Sequence, residues 1–382
     1  MKICAIICEY NPFHNGHLHQ LREAKRLSGA DFVLCIMSGN FVQRGEAAIM
    51  DKYTRAKHAL LAGADVVIEL PTVFATSNAE LFAKGAISIL SAIPDVKTLC
   101  FGCENNDKLA FKLAARYLND EPKEVSDKIK ELTATGTSFA KARANAWAGY
   151  IPLEFLSSPN NILGLEYTRA ILAKNADIDI LPIQRVGNAY NETQLDENYP
   201  SATAVRTAIK NGKKVEKGVP EFVLQDFPKH LENTLELLEK HAILSLDKAF
   251  LKRVCDCTEG LENAFKKAAE NSASLVDTLT SARYTSSRIR RIALQAMLGI
   301  EENFIRECLE APLYLRILAI KKESSEAMSA LSQSNFPIVA RAHDEDKLSE
   351  IAKKCVDKDN FAEKIYKLLY PQTQKDSVKY FV

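Results

Sequence analysis

The first hundred residues alternate between short apolar runs and longer amphipathic segments, and this alternation restricts the fold more than any other feature. The amphipathic segments carry apolar residues at helical spacing and lie at Leu18–Leu27, Lys52–Leu61 and Ala79–Leu90. The runs between them predict strands at Ile3–Cys8, Phe32–Met37, Val66–Leu70 and Thr98–Phe101. Strands that are apolar throughout and separated by helices indicate a parallel sheet covered on both faces. Since such crossovers are right-handed, we expect an α/β fold with a Rossmann-like, doubly wound sheet.

The pattern changes further along the chain. Residues 108–150 are helical in pattern, and a strand at Ile178–Pro182 is predicted between helices at Asn160–Ala173 and Ser201–Lys210. From Glu221 onward amphipathic helices follow one another almost exclusively, for example at Leu231–His241, Leu261–Ala269 and Arg288–Met297. A chain of 382 residues exceeds the usual size of one domain. We therefore predict a sheet domain over residues 1–217 and a mainly α-helical domain over residues 218–382.

Composition excludes several classes of protein. The chain is 47% hydrophobic and 26% charged, which argues against disorder, collagen-like repeats and membrane spans. The net charge is +1, so a nucleic-acid partner requires a local basic patch. The N-terminal apolar run is too short and too soon charged for a signal peptide, and we expect a cytoplasmic protein with reduced cysteines. Cys100 and Cys103 form a lone C-x-x-C, and the sequence offers no metal-ligand cluster.

The sequence His14-Asn15-Gly16-His17 stands where the first strand gives way to the first helix. Phosphates bind at such points because free backbone N–H groups and the helix dipole favour negative charge. Gly16 allows close approach of the backbone, and both histidines can donate hydrogen bonds to phosphate oxygens. The arrangement suits a nucleoside triphosphate. A turn with two internally satisfied histidines is the structural alternative.

Two motifs carry a resemblance to a known superfamily. His14 to His17 resembles the H-x-G-H signature of nucleotidyltransferases and class I aminoacyl-tRNA synthetases, and Ser201 to Arg206 resembles their S-x-T-x-x-R motif. More narrowly, six stretches in this order resemble the bacterial tRNA(Met) cytidine acetate ligases. They are EYNPFHNGH, SGNFVQRGEAAI, ADVVIELP, FGCEN, SPNNILG and RYTSSRIRR.

This resemblance implies a two-step reaction. Acetate attacks the α-phosphate of ATP to give acetyl-adenylate and pyrophosphate, and the acetyl group then passes to the wobble cytidine of elongator tRNA(Met), forming N4-acetylcytidine. Such chemistry depends on charge stabilisation and positioning more than on a covalent nucleophile. His14 and His17 would be the catalytic pair. Mg²⁺ is expected only because ATP phosphates usually carry it.

The resemblance also implies an ATP site. Three residues outside the first motif belong to it: Gly102 at a strand end, Asn160 at a helix start and Arg185 after a strand. Each has an ordinary alternative, as a turn glycine, a helix cap or a surface charge respectively. The remaining predicted ATP-binding residues are Ile7, Cys8, Glu9, Tyr10, Asn11, Pro12, Phe13, His14, Asn15, Gly16, His17, Leu18, His19 and Gln20.

The S-x-T-x-x-R motif predicts a second phosphate site. Ser201 and Thr203 lie in the first turn of a helix, and Arg206 follows on nearly the same face. A hydroxyl and a guanidinium so placed can bind the leaving pyrophosphate. An N-cap with an exposed arginine is the alternative. The loop from Gly39 to Gly45 is of the kind that closes over a nucleotide, but its ligand is not evident from sequence.

A basic segment in the second half suits RNA. Arg283, Tyr284, Arg288, Arg290 and Arg291 concentrate positive charge beside an aromatic ring, which can stack on an exposed base. A solvated helix face is the alternative. Two other functions stay open at this stage: an adenylyltransferase acting on a small phosphorylated metabolite, and a non-catalytic RNA-binding protein. The sequence does not indicate the oligomeric state.

Overall fold

The computed structural model describes residues 1–137, 139–186, 198–228, 234–371 and 380–381. A mostly parallel sheet forms its centre, with strand order β10-β8-β5-β2-β1-β6-β7 and β9 paired to β8, while β3 and β4 form a separate hairpin. The strands are β1 (Ile3–Cys8), β2 (Phe32–Ser38), β3 (Phe41–Val42), β4 (Glu46–Ala47), β5 (Val66–Leu70), β6 (Val96–Cys103), β7 (Asp179–Gln184), β8 (Leu315–Ile320), β9 (Ile338–Val339) and β10 (Tyr380–Phe381).

Helices cover both faces of the sheet in the first half of the chain. They are α1 (Asn15–Ser28), α2 (Lys52–Leu61), α3 (Thr72–Ala75), α4 (Ala79–Ser91), α5 (Lys108–Asn119), α6 (Lys123–Ala134), α7 (Phe139–Trp147), α8 (Leu153–Ser157), α9 (Pro159–Ala173) and α10 (Ala202–Lys210). One apolar core lies between the sheet and α4, α5 and α9, and another lies between the opposite face and α1, α2 and α10. The α/β fold with a Rossmann-like parallel sheet is confirmed.

The second half is mainly helical. Its helices are α11 (Glu221–Leu224), α12 (Leu235–Ser245), α13 (Lys248–Arg253), α14 (Leu261–Ala269), α15 (Leu275–Leu279), α16 (Ser286–Leu298), α17 (Glu302–Glu310), α18 (Ser325–Ser332) and α19 (Glu350–Leu369), with a 3-10 turn at Ala342–Lys347. Helices α12 to α16 enclose a third apolar core of their own. The first residues of the helix predicted at Leu231–His241 lie outside the described residues.

The second half is mainly helical as expected, but the sequence pattern missed a strand near the C-terminus. Residues Leu315–Ile320 form β8, which pairs antiparallel with β5, and α19 packs against α3. A short apolar run cannot be assigned to strand or helix by periodicity, which is why the sequence pattern missed it. The end of the chain therefore extends the sheet of the first half, and the division at residue 217 stays a prediction. Among the described residues, no helix combines the length and apolarity needed to cross a bilayer.

Candidate active site

The candidate site lies at the carboxyl edge of β1, β6 and β7. These strands are adjacent and parallel, so the residues that follow them meet at one edge of the sheet. Glu9 follows β1, Gly102 lies near the end of β6, and Arg185 comes directly after β7. Helices α1, α9 and α10 close the sides of the resulting cavity.

Most of the predicted ATP-binding and phosphate-binding residues line this one cavity. They are Ile7, Cys8, Glu9, Tyr10, Asn11, His14, His17, Gln20, Gly102, Asn160, Arg185, Ser201, Thr203 and Arg206. Six residues of the predicted stretch do not line it, namely Pro12, Phe13, Asn15, Gly16, Leu18 and His19. Phe13, for example, is fully buried in the apolar core beside α1. The contiguous stretch thus contains both cavity-lining residues and residues that fix the turn.

The two histidines form the N-terminus of α1. His14 is its N-cap, with Nδ1 accepting a hydrogen bond of 3.1 Å from the backbone N–H of Gly16. The backbone N–H of His14 donates to Nδ1 of His17 at 3.3 Å, and the two rings stack with centroids 3.7 Å apart. A Cβ on Gly16 would lie 2.9 Å from the His14 ring, so a larger residue at this position would displace that ring. Helix α1 starts three residues before the predicted Leu18.

Both histidines are neutral in this environment. Burial, with Arg185 and Arg206 nearby, lowers the pKa of His14 to about 3. Burial and the neighbouring His14 lower the pKa of His17 well below its usual value. Because each Nδ1 accepts a backbone hydrogen bond, each proton is assigned to Nε2. The pair therefore offers two neutral N–H donors to a ligand.

The second motif is bonded to the first. Ser201 caps α10, its Oγ accepting from the backbone N–H of Ala204 at 3.1 Å. Arg206 donates to the carbonyl oxygen of Asn11 at 2.7 Å and to Oγ1 of Thr203 at 3.3 Å. These bonds hold the Arg206 guanidinium beside the turn that joins β1 to α1. Residues about 190 positions apart in the chain thus form one polar surface.

An apolar wall faces these polar groups. Phe82, Phe101, Leu163 and Tyr167 line the cavity beside Gly102, where an added Cβ would meet only the Arg185 side chain at 3.6 Å. Sequence reasoning missed the wall. Leu163 and Tyr167 follow Asn160 at helical spacing on α9. Since the three residues share one face of this helix, their spacing in the sequence could have identified this part of the wall. Asn160 itself donates to Oε1 of Glu104 at 2.6 Å.

The β3–β4 hairpin covers the cavity. Gln43, Arg44 and Glu46 from this hairpin line it. The backbone N–H of Gln43 donates to Oε1 of Glu9 at 2.8 Å. Burial raises the pKa of the Glu9 carboxyl, although Gln43 and the nearby Arg206 oppose the shift. The predicted loop therefore lines the predicted ATP-binding cavity and is hydrogen-bonded to Glu9, which follows β1.

The structure gives the basic residues of the predicted RNA-binding segment different partners. Arg288 donates to the carbonyl oxygen of Asp256 at 2.7 Å, and the Arg291 side chain, 12% exposed, lies 3.8 Å from the Asp256 carboxylate. Arg283 and Tyr284 both bond to Glu259 at the surface. Arg290 contacts Glu46 of the hairpin at 3.2 Å.

Arg288 and Arg291 therefore hold the loop around Asp256, and Arg291 is poorly placed to meet RNA. Arg283 is exposed, and Tyr284 and Arg290 are half-buried. Within the part of the chain that the structure describes, no group of three His, Cys, Asp or Glu side chains is arranged to hold a metal ion.

Comparison with known proteins defines the class. A family model described as HIGH Nucleotidyl Transferase matches residues 1–380. A tRNA(Met) cytidine acetate ligase of Acetivibrio thermocellus is 35% identical over 93% of this chain and 90% of its own length. Another, from Caldicellulosiruptor saccharolyticus, is 40% identical over 87% of this chain and 86% of its own. The chain is a HIGH nucleotidyltransferase, and within that class it belongs to the tRNA(Met) cytidine acetate ligase family.

Solved structures agree with this assignment. Thermotoga maritima TmcAL in its apo form superposes with a TM-score of 0.90 at 32% identity, covering 98% of this chain and 96% of that one. The same protein bound with alpha-thio ATP gives a TM-score of 0.87 at 32% identity, with 97% and 95% covered. The resemblance seen in the sequence motifs is confirmed across the whole chain.

Proposed function

We propose that the protein activates acetate with ATP and transfers the acetyl group to the wobble cytidine of elongator tRNA(Met). One observation carries the proposal: the H-x-G-H turn and the S-x-T-x-x-R helix face one cavity, joined by the bond from Arg206 to Asn11. Membership of the ligase family and the ATP analogue bound to the Thermotoga protein support the same function.

In the first step an acetate oxygen attacks the α-phosphorus, and the bond to the β-phosphate oxygen breaks. Negative charge builds up on the phosphates, where preorganised donors act most strongly. The neutral Nε2–H groups of His14 and His17 bind non-bridging oxygens, and Arg206 balances the charge of the departing pyrophosphate. The apolar wall from Phe82 to Tyr167 takes the adenosine.

In the second step the exocyclic N4 of cytidine attacks the acetyl carbon. The bond from this carbon to N4 forms, its bond to the AMP oxygen breaks, and one N4 proton is released to solvent. An amide replaces a mixed anhydride, so no further source of energy is needed. Enclosure of the adenylate under the β3–β4 hairpin protects the anhydride from hydrolysis in the meantime.

Magnesium and tRNA complete the proposal. Mg²⁺ enters with ATP as part of the substrate, held by phosphate oxygens. The exposed Arg283 and the half-buried Arg290 contact the tRNA backbone, and Tyr284 contacts a base. The reaction takes place in the cytoplasm, where tRNA is found.

Pyrophosphate release tests the function. The protein is mixed with ATP and acetate, or with a panel of phosphorylated metabolites, each with and without a tRNA(Met) transcript. Acetate-dependent release followed by acetylation of the wobble cytidine supports the proposal. Release with a metabolite but not with acetate would instead favour an adenylyltransferase. The absence of both release and ATP-dependent thermal stabilisation would leave a non-catalytic RNA-binding protein.

A further inference from the structure

A second cavity adjoins the predicted ATP-binding cavity. It measures about 430 Å³ and lies between α10, the β3–β4 hairpin and the helices α12, α15 and α16. This volume falls in the range of about 300–1,000 Å³ that is usual for small-molecule sites. Glu46 and Arg206 line both cavities, and their side chains approach to 3.9 Å at the common boundary.

The second cavity contains a buried carboxyl oxygen without a hydrogen-bond partner among the described residues. Glu239 on α12 is 6% exposed and lines the cavity, and its Oε1 makes no hydrogen bond to any described residue. Apolar side chains line the same cavity, among them Leu235, Leu275 and Ile289, together with the charged Glu236 and Arg290. Burial, with Glu236 nearby, raises the pKa of Glu239 well above its usual value, and Arg290 opposes the shift.

An unpaired buried carboxyl group destabilises a fold, and such groups call for an explanation. A ligand that donates a hydrogen bond inside the cavity supplies one. Glu239 is outside the sequence motifs and has no role in the activation step. Its oxygen accepts from an N–H whether the carboxyl is protonated or ionised.

The chemistry of the cavity fits a nucleobase. Unpaired bases are bound by RNA-modifying enzymes in apolar pockets, where side chains hydrogen-bond their Watson–Crick edge. The amino group of cytosine is the natural donor to a glutamate. Two cations, the exposed Lys210 and the half-buried Arg290, lie at the rim and suit the phosphates on either side of an inserted base.

Position completes the argument. Acyl transfer requires the amine and the acyl carbon to come within about 3–3.5 Å, so the acceptor base must occupy space next to the adenylate. The second cavity lies next to the predicted ATP-binding cavity, since Glu46 and Arg206 line both. We propose that this cavity receives the wobble cytosine and that Glu239 accepts a hydrogen bond from its N4 amino group. The inference rests on the proposed function.

The test uses the full-length protein with Glu239→Leu and Glu239→Gln. Glu307→Leu, at an exposed position of α17, is the matched control and should behave as wild type in every assay. In Glu239→Leu, acetate-dependent pyrophosphate exchange should persist while acetyl transfer to a tRNA(Met) transcript falls roughly tenfold to a hundredfold. Glu239→Gln keeps a carbonyl oxygen that can accept the hydrogen bond, so its rate of acetyl transfer should fall less than that of Glu239→Leu. The Leu variant should melt at a higher temperature than wild type, because an unpaired buried carboxyl group is removed.

A substrate change identifies the contact. A transcript whose wobble base lacks the amino group should bind wild type more weakly, by the same factor by which Glu239→Leu weakens binding of the normal transcript. The two changes together should give no further loss of affinity. Normal transfer in both variants would overturn the inference alone. Loss of pyrophosphate exchange along with transfer would also overturn it. Wild-type protein that exchanges pyrophosphate with acetate but does not acetylate the transcript would overturn the proposed function itself.

Discussion

Gly45→Ala tests whether the β3–β4 hairpin positions the catalytic cavity. Gly45 has φ +75°, and an added Cβ would lie 2.5 Å from the backbone nitrogen of Arg291 and 2.6 Å from the carbonyl carbon of Arg290. Neither backbone atom belongs to a flexible side chain that can turn aside. The hairpin must therefore retreat from α16 by roughly 1 Å to restore ordinary contact distances.

The size of the effect follows from two terms. A left-handed backbone conformation costs a non-glycine residue about 1–2 kcal/mol. Overpacking against α16 adds about 1–3 kcal/mol. Gln43, Arg44 and Glu46 move with the hairpin, and a shift of about 1 Å at a reacting centre costs on the order of a hundredfold in rate. We expect Gly45→Ala to lower both the melting temperature and acetate-dependent pyrophosphate exchange.

Gly29→Ala separates the two terms. Gly29 also has a positive φ, +57°, but a Cβ added there would have no atom within 4 Å, so only the backbone term applies. This control should lose stability and keep its exchange rate. Melting curves and exchange assays on the two variants give the comparison. Equal exchange rates in Gly45→Ala and wild type would refute the positioning role of the hairpin.

Three further predictions concern the histidines and the basic segment. His17→Ala should reduce acetate-dependent pyrophosphate exchange by about 10²–10³ while tRNA affinity is kept, as measured by filter binding. The free energy of unfolding should fall as the pH drops from 7 to 5, and His14 should contribute on the order of 2 kcal/mol to this loss. The reason is that the pKa of His14 is about 3 in the folded state, below its unfolded value, so the unfolded state binds more protons in this pH window. His14→Asn should reduce the dependence of the melting temperature on pH. Arg288→Ala should lower the melting temperature because it frees the loop around Asp256. Arg283→Ala should leave the melting temperature unchanged and reduce the slope of log affinity for tRNA against log salt concentration by about one.

The parallel sheet and the position of the candidate site could be predicted from sequence because both follow from local patterns. Apolar runs separated by amphipathic helices predicted the parallel sheet, and parallel strands bring their carboxyl ends to one edge. The His14 motif directly follows a predicted strand, and the resemblance to the superfamily implied that the Ser201 motif binds phosphates of the same ligand. The hydrogen bond from Arg206 to the carbonyl oxygen of Asn11 holds the two motifs beside each other.

Other features depend on partners that no local pattern reveals. The four arginines of the basic segment looked alike in sequence, yet Arg291 lies partly buried near Asp256 while Arg283 stays at the surface. Strand β8 is a six-residue, largely apolar segment whose pairing with β5 joins positions about 250 residues apart. Glu239 showed no signal because its environment is made by α12, α15 and α16 together. Tertiary contacts, not residue type, decide each of these cases.

The site is held in place by a buried arginine that lies outside every motif. Arg55 on α2 is fully buried, and its guanidinium donates to the carbonyl oxygens of Glu9, Ser38, Gly39 and Met50. A buried charge is tolerated only where hydrogen bonds replace its hydration, so these carbonyls must stay in place for the fold to be stable. The end of β1, the end of β2 and the start of the hairpin loop are thereby fixed together before any ligand binds. Cavity residues carried on such a frame are preorganised, which is the condition under which neutral donors such as His14 and His17 stabilise developing charge effectively.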